Sequence, residues 1–219
     1  MNTKKPVLAI ETSAKLCGVS VYFDSQRYFT MHRLEERSHA RKLAGMIQYA
    51  LESQLITSSD LAFVAVSGGP GSFTGLRIGF SVAKGLCLGA GIPLKRVNTI
   101  EAIAFESLDF IENEETFTVA LKVNRNEVFF RRFQKKGDFY KFAGDLLTIE
   151  NSRVTDLTQK GELIICNFEL EERRFLRREY PSPQKIAELA LLSDVEAEEE
   201  IDFLEPEYVK DFQIVRKDK

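Results

Sequence analysis

A chain of 219 residues is long enough for one large domain or two small ones sharing a hinge. Hydrophobic residues make up 44% and charged residues 29%, with a net charge of −3; this excludes a disordered chain and a molecule-wide field for nucleic acid, so any RNA contact has to be local or supplied by a partner. The longest apolar run, residues 61–66, falls far short of the roughly 20 residues of a membrane helix, and the apolar stretch 7–10 is too short for a signal peptide, so the expectation is a cytoplasmic protein with no membrane contact. Residues 7–10 and 17–23 read as two strands joined by a polar turn, and 26–34 as a third, an antiparallel meander. Ser38 reads as the N-cap of a helix running to about Gln54. In that helix Leu43, Ile47 and Leu51 repeat every four residues with Ala40 and Ala44 beside them, while Met46, Tyr49 and Ala50 fall on another face, which suggests more than one packing partner. Residues 61–66 form a buried-type strand, followed by a glycine turn over 67–72 and a second helix from about Thr74 to Ala90, stopped by Gly91 before Pro93.

Residues 94–98 read as a short strand and 100–110 as a helix. The acidic stretch Glu112 to Glu115 places a boundary between a first lobe, 1–112, and a smaller second lobe, 113–219. Beyond it, 117–123 and 127–133 read as paired strands, 139–147 as a continuation of that sheet, 163–166 as a buried strand, and 182–192 as a helix with Pro183 in its first turn. The pattern is mixed α/β. Cys17, Cys87 and Cys166 form no C-x-x-C pair and read as small buried hydrophobes rather than as a disulfide or zinc framework.

Two segments carry the chemistry. In Ser67-Gly68-Gly69-Pro70-Gly71-Ser72-Phe73-Thr74-Gly75-Leu76-Arg77-Ile78-Gly79, a strand, a glycine turn and a helix start together make an anion site, with Gly69, Gly71 and Ser72 as phosphate contacts. A Walker loop needs Gly-Lys-Ser/Thr where Gly75-Leu76 stands, and a hydrolase elbow would be out of register. The competing reading, which weighs more on physical grounds, is close packing, because Gly71, Gly75 and Gly79 are spaced by four and share a stripe. The second segment, Leu8 to Ser13, ends a strand in an acid and two hydroxyls. Glu11, Thr12 and Ser13 there resemble the first phosphate loop of the sugar-kinase, Hsp70 and actin superfamily; taken alone they also read as a hairpin turn closed by its own hydroxyls. His32 and His39 fall on different elements and read as surface or capping residues. Arg173, Arg174, Arg177 and Arg178 stand at helical spacing among Glu169, Glu171, Glu172 and Glu179, a salt-bridged face before an RNA contact.

In this order and at this distance the two segments resemble the TsaB (YeaZ) family. Leu8 to Ser13 is similar to its L-A-I-D/E-T-A/S opening, and Gly69 to Gly79 matches its G-P-G-S-F-T-G-L/V-R-I-G signature at every position. Ser38-His39 at a helix start and Glu205 to Lys210 near the end also fit. The resemblance implies an α/β fold of the Hsp70/actin/sugar-kinase (ribonuclease H-like) kind, with two lobes and the second degenerate. It implies a non-catalytic scaffold in the synthesis of N6-threonylcarbamoyladenosine at position 37 of tRNA. Its implied partners are a TsaD-like catalytic paralogue, a TsaE-like ATPase, a second copy of itself when alone, and tRNA indirectly through the complex. No cofactor is required, with ATP or ADP at a subunit interface as the one candidate. Pairing through the two N-lobe helices would involve His39, Leu43, Ala44, Ile47, Gly75, Gly79 and Ala83; Arg at Ala44 or Ala83 is expected to break assembly and spare the fold. The paralogue's metal-binding segment, V-H-H-M-E-G-H, corresponds to Val97 to Ile103, so Thr99 and Ile103 take the place of the ligand histidines and no metal is expected. The D-A-R-x-x-E-V-Y segment that starts the family's second lobe reads Lys122-Val123-Asn124-Arg125-Asn126-Glu127-Val128-Phe129 here, and the C-terminal region reads as trimmed. A stand-alone small-molecule ATPase or kinase is the runner-up, and a metal-bearing glycoprotein peptidase a distant third.

Overall fold

The structure is a computed structural model that describes residues 5–35, 39–192 and 201–207. Strands β1 (Val7–Glu11), β2 (Leu16–Asp24) and β3 (Arg27–Leu34) form the antiparallel meander; β4 (Phe63–Ser67) lies parallel to β1 with Val7 opposite Phe63, and β5 (Leu94–Val97) lies parallel to β4. The sheet order is β3-β2-β1-β4-β5. Helix α1 (His39–Ser53) leads from β3 towards β4, α2 (Phe73–Ala90) from β4 to β5, and α3 (Thr99–Glu106) follows β5.

Every residue of β1 and β4 is buried, because both faces of the sheet are covered. Leu8, Ile10, Val64 and Val66 pack with Leu43, Ile47, Phe80 and Ala83 of α1 and α2. Val7 and Ala9 face the other way, towards Ile100 and Ile103 of α3. The alternation of β1 thus sends successive side chains into two different cores.

The second sheet contains β6 (Thr116–Lys122), β7 (Glu127–Lys136), β8 (Phe139–Phe142), β9 (Leu147–Glu150), β10 (Leu163–Cys166) and β11 (Phe175–Arg177), in the order β11-β10-β6-β7-β8 with β9 also paired to β7. Helix α4 (Pro183–Leu192) then returns to the first sheet, packing on β1, β2, β4 and β5 and on α3. The division expected at 112/113 falls between a 3-10 turn, Leu108–Phe110, and β6; the core crosses it, since Phe117, Val119 and Phe133 share one cluster with Val7, Ile100 and Ile186.

Several expectations change at this level. The helix expected over 100–110 ends at Glu106 and gives way to the 3-10 turn. Helix α1 has a single buried stripe, His39, Leu43, Met46, Ile47, Ala50 and Leu51; Met46 and Ala50 join it because i+3 and i+4 neighbours share a helix face, while Tyr49 is 57% exposed. Arg177 lies on β11, with Arg173 and Arg174 just before it and Arg178 just after, rather than on a helix, because residues 175–177 pair with β10 and tuck Phe175 and Leu176 partly inward. Arg174 pairs with Glu115 at 2.6 Å and Arg177 with Glu169 at 2.9 Å, so the cluster is ion-paired. Ser38 and residues 208–210 lie outside the described residues. The three cysteines are free thiols in the interior. Among the described residues no helix is long and apolar enough to cross a membrane.

Candidate functional site

The carboxyl ends of β1, β4 and β5 bring the two sequence motifs into one junction. The Glu11 carboxyl is fully buried at the end of β1, and its Oε1 accepts from both the N–H and the Oγ–H of Ser13, each at 2.5 Å. The Thr12 N–H donates to Ser67 Oγ at 3.2 Å, tying the turn to the end of β4. Burial pushes Glu11 up to about 7, against the opposing pull of the Ser13 and Ser67 hydrogen bonds. Glu11 Oε2 and Thr12 Oγ1 are buried without a hydrogen-bond partner.

The glycine signature wraps this turn. A Cβ on Gly71, Gly75 or Gly79 would fall closer than 3.0 Å to Ser13 O, Thr12 O and Thr12 Oγ1 respectively, so the stripe is filled by the backbone of Thr12 and Ser13 and the Thr12 hydroxyl. The Ser72 N–H donates to Ser13 O at 2.6 Å, and Ser72 caps α2 by accepting from Gly75 N–H at 3.2 Å. The close-packing reading of these glycines is therefore satisfied by the Glu11-Thr12-Ser13 turn. Gly68 and Gly69 face elsewhere, towards Arg96 and Glu207, while Gly71 and Ser72 reach solvent.

The residues expected to dock a partner divide sharply. His39, Leu43 and Ile47 are buried on the inner face of α1, with His39 Nε2 3.0 Å from Leu16 O. Gly75, Gly79 and Ala83 are buried on the inner face of α2. Of the seven only Ala44 is exposed. The other six are used inside the chain, where α1 and α2 approach the sheet and each other, so Arg at Ala83 would strike the core instead of sparing the fold. The outward faces carry Ala44, Gly45 and Tyr49 on α1 and Gly85, Leu88 and Gly89 on α2; Tyr49 and Leu88 are 57% and 58% exposed. A Cβ on Gly45, Gly85 or Gly89 would meet nothing within 4 Å. The i, i+3, i+4 stripe of α1, carried through to His39, was the signal that could have separated inner from outer residues.

Thr99 and Ile103 are both buried on α3. Among the described residues no group of three or more His, Cys, Asp or Glu is placed to hold a metal ion. A polar clamp that sequence reasoning missed joins α3 to the second sheet. Arg131 Nη1 lies 3.1 Å from Glu101 Oε1, Tyr140 Oη donates to Glu101 Oε2 at 3.1 Å, and the Arg131 guanidinium stacks 3.6 Å from the Phe142 ring centroid. Burial raises Glu101, with Tyr140 and Arg131 pulling it back.

Comparison with known proteins follows the same lines. The profile of the family described as TsaD, tRNA N6-adenosine threonylcarbamoyltransferase, matches residues 32–165. The tRNA threonylcarbamoyladenosine biosynthesis protein TsaB of Haemophilus influenzae is 29% identical over 139 residues, 62% of this chain and 58% of that protein. The chain belongs to the TsaB (YeaZ) family. The Escherichia coli K12 TsaB protein is 36% identical over 100 residues, 45% of this chain and 42% of that one. The matched part of the chain thus spans about half the length of these curated TsaB relatives. Among solved structures, YeaZ from Pseudomonas aeruginosa superposes with a TM-score of 0.78 at 19% identity, over 94% of this chain and all of that one. A Pseudomonas aeruginosa protein described as similar to peptidase YEAZ gives 0.82 at 21%, with the same coverage. The mixed α/β class and two-sheet architecture expected from the sequence are those observed, and the fold is that of YeaZ.

Proposed function

We propose that this TsaB-family chain is the non-catalytic subunit of the assembly that makes N6-threonylcarbamoyladenosine at position 37 of tRNA. In this reading it supports a TsaD-like catalytic paralogue through the outward faces of α1 and α2. The observation that carries the proposal is the open surface itself. Neighbouring helices present Ala44, Gly45, Gly85 and Gly89, small enough for a partner helix to approach closely, beside the exposed apolar side chains of Tyr49 and Leu88. The names of the relatives support the pathway. The junction at Glu11 and the glycine stripe is filled by packing, and Thr99 and Ile103 offer no imidazole to a metal, which supports a supporting role over a catalytic one.

In solution the same face pairs with a second copy when the paralogue is absent. A TsaE-like ATPase joins the assembled pair, tRNA is reached through the complex, and the setting is cytoplasmic. Light scattering behind size exclusion tests this with Ala44→Arg and Gly85→Arg, each alone and mixed with the TsaD-like paralogue. Both variants should keep the native circular dichroism spectrum and lose the homodimer and the heterodimer. Undiminished assembly by both would refute the interface.

A further inference from the structure

The crevice at the carboxyl ends of β4 and β5 is covered by a distant segment of the same chain. In open α/β sheets this is where ligands bind when the following helices go to opposite faces, as α2 and α3 do here. Ile201 and Leu204 pack into the core beside α2, Pro206 is buried, and Glu205 and Glu207 are exposed. Three hydrogen bonds fasten the segment. Arg96 Nη1 donates to Glu205 O at 3.1 Å, the Glu207 N–H donates to Gly68 O at 2.7 Å, and Asn98 Nδ2 donates to Glu207 Oε2 at 3.0 Å.

The chemistry of these contacts is specific. The Arg96 side chain lies across the space a Cβ on Gly68 would need, and Glu207 O sits 2.8 Å from where one on Gly69 would stand. Gly69 holds φ at +97°, a conformation glycine adopts without strain. Gly69 O accepts from the Thr99 N–H at 2.8 Å, and Thr99 Oγ1 is buried beside it without a partner. A guanidinium and a side-chain amide therefore converge on the segment that lies against the glycine turn, and the segment meets them with a carbonyl oxygen and a carboxylate.

We propose that residues 204–207 are a displaceable strap that mimics an anion, and that its release frees Arg96 and Asn98 for a phosphate-bearing ligand at the Gly68–Gly69 turn. The strap differs from the 11–13 turn that fills Gly71, Gly75 and Gly79. That turn is continuous with two central strands and cannot leave without unfolding the sheet. The strap is held by three hydrogen bonds and two inserted side chains, so it can open while the sheet stays intact. Partner docking on the outward faces of α1 and α2 plays no part in the inference.

Isothermal titration calorimetry of the full chain with sodium tripolyphosphate, and separately with ATP, tests it. Glu207→Pro removes both the N–H given to Gly68 and the carboxylate held by Asn98; Glu207→Ala removes the carboxylate alone. A strap closed nine-tenths of the time lowers apparent affinity about tenfold. Tripolyphosphate should therefore bind Glu207→Pro about tenfold more tightly than the native chain, with Glu207→Ala between. Adding Arg96→Ala should abolish the gain, and hydrogen exchange at residues 204–207 should quicken in step with it. ATP binding beyond tripolyphosphate would add a contact to the base; equal binding would assign recognition to the phosphates. Identical affinities for native chain and variants, or a gain that survives Arg96→Ala, would overturn the proposal. If Glu207→Pro does not fold, the comparison of Glu207→Ala with and without Arg96→Ala decides the same question.

Discussion

The inner and outer faces of α2 carry similar residues and do opposite things. On the inner face Gly75, Gly79 and Ala83 are buried, and the two glycines leave room for the backbone and hydroxyl of Thr12. On the outer face Gly85 and Gly89 meet nothing within 4 Å, and Leu88 stands 58% exposed. Small residues thus bring a neighbour close in one direction and leave a surface open in the other. Spacing along a helix identifies a stripe; it takes the neighbouring turn to show whether the stripe is already filled.

That contrast can be broken by size and charge. Ala83→Arg places an unpaired charge where exposure is zero, so loss of the folded state is expected, a cost of several kcal/mol read by chemical denaturation. The same charge at Gly85 meets open space, so it should not destabilise and, through helix propensity, should add up to about 1 kcal/mol. Equal effects at the two positions would erase the distinction between the faces.

The turn behind the inner face responds to pH. Glu11 is pushed up from its ordinary 4.5 to about 7 by burial, so the folded protein holds this proton more tightly than the unfolded chain does. The resulting stability is fully present below about 4.5 and is lost as pH rises through about 7, with a total on the order of 3 kcal/mol. Glu11→Gln should flatten this part of the stability profile between about pH 4.5 and about pH 7, the window the two values define. Parallel profiles for native and variant would mean that the carboxyl is not held in the dry junction described above.

The mildest change sharpens the comparison most. Gly75→Ala adds one methyl against Thr12 O and should destabilise by about 1–3 kcal/mol. Gly85→Ala adds the same methyl to open space and should stabilise by up to about 1 kcal/mol, through helix propensity alone. Paired thermal melts should therefore move in opposite directions.

Much of the molecule is legible without the structure, for reasons that act over short distances. The meander, the buried strands and the helix stop at Gly91 follow from alternation and turn chemistry, and Gly91 is in the left-handed conformation its position demands. Where local patterning misled, long-range pairing had won. The arginines at 173–178 keep helical spacing, yet β10 recruits residues 175–177 as a strand. The Arg131–Glu101–Tyr140 clamp has no local signature, since its members come from a helix and two strands.

The sequence by itself determined the fold class, the order of elements through α3 and the family, because periodicity, glycine placement and an uninterrupted signature are properties of neighbouring residues. Only the tertiary structure decided what the signature touches. Gly71, Gly75 and Gly79 are compatible with a phosphate, a partner helix or the chain's own turn, and close approach of Thr12 and Ser13 selects the last. It likewise brought Glu207 to Asn98 across 109 residues of sequence. Such contacts are set by how the sheet and its helices pack, and residue spacing along the chain carries no record of them.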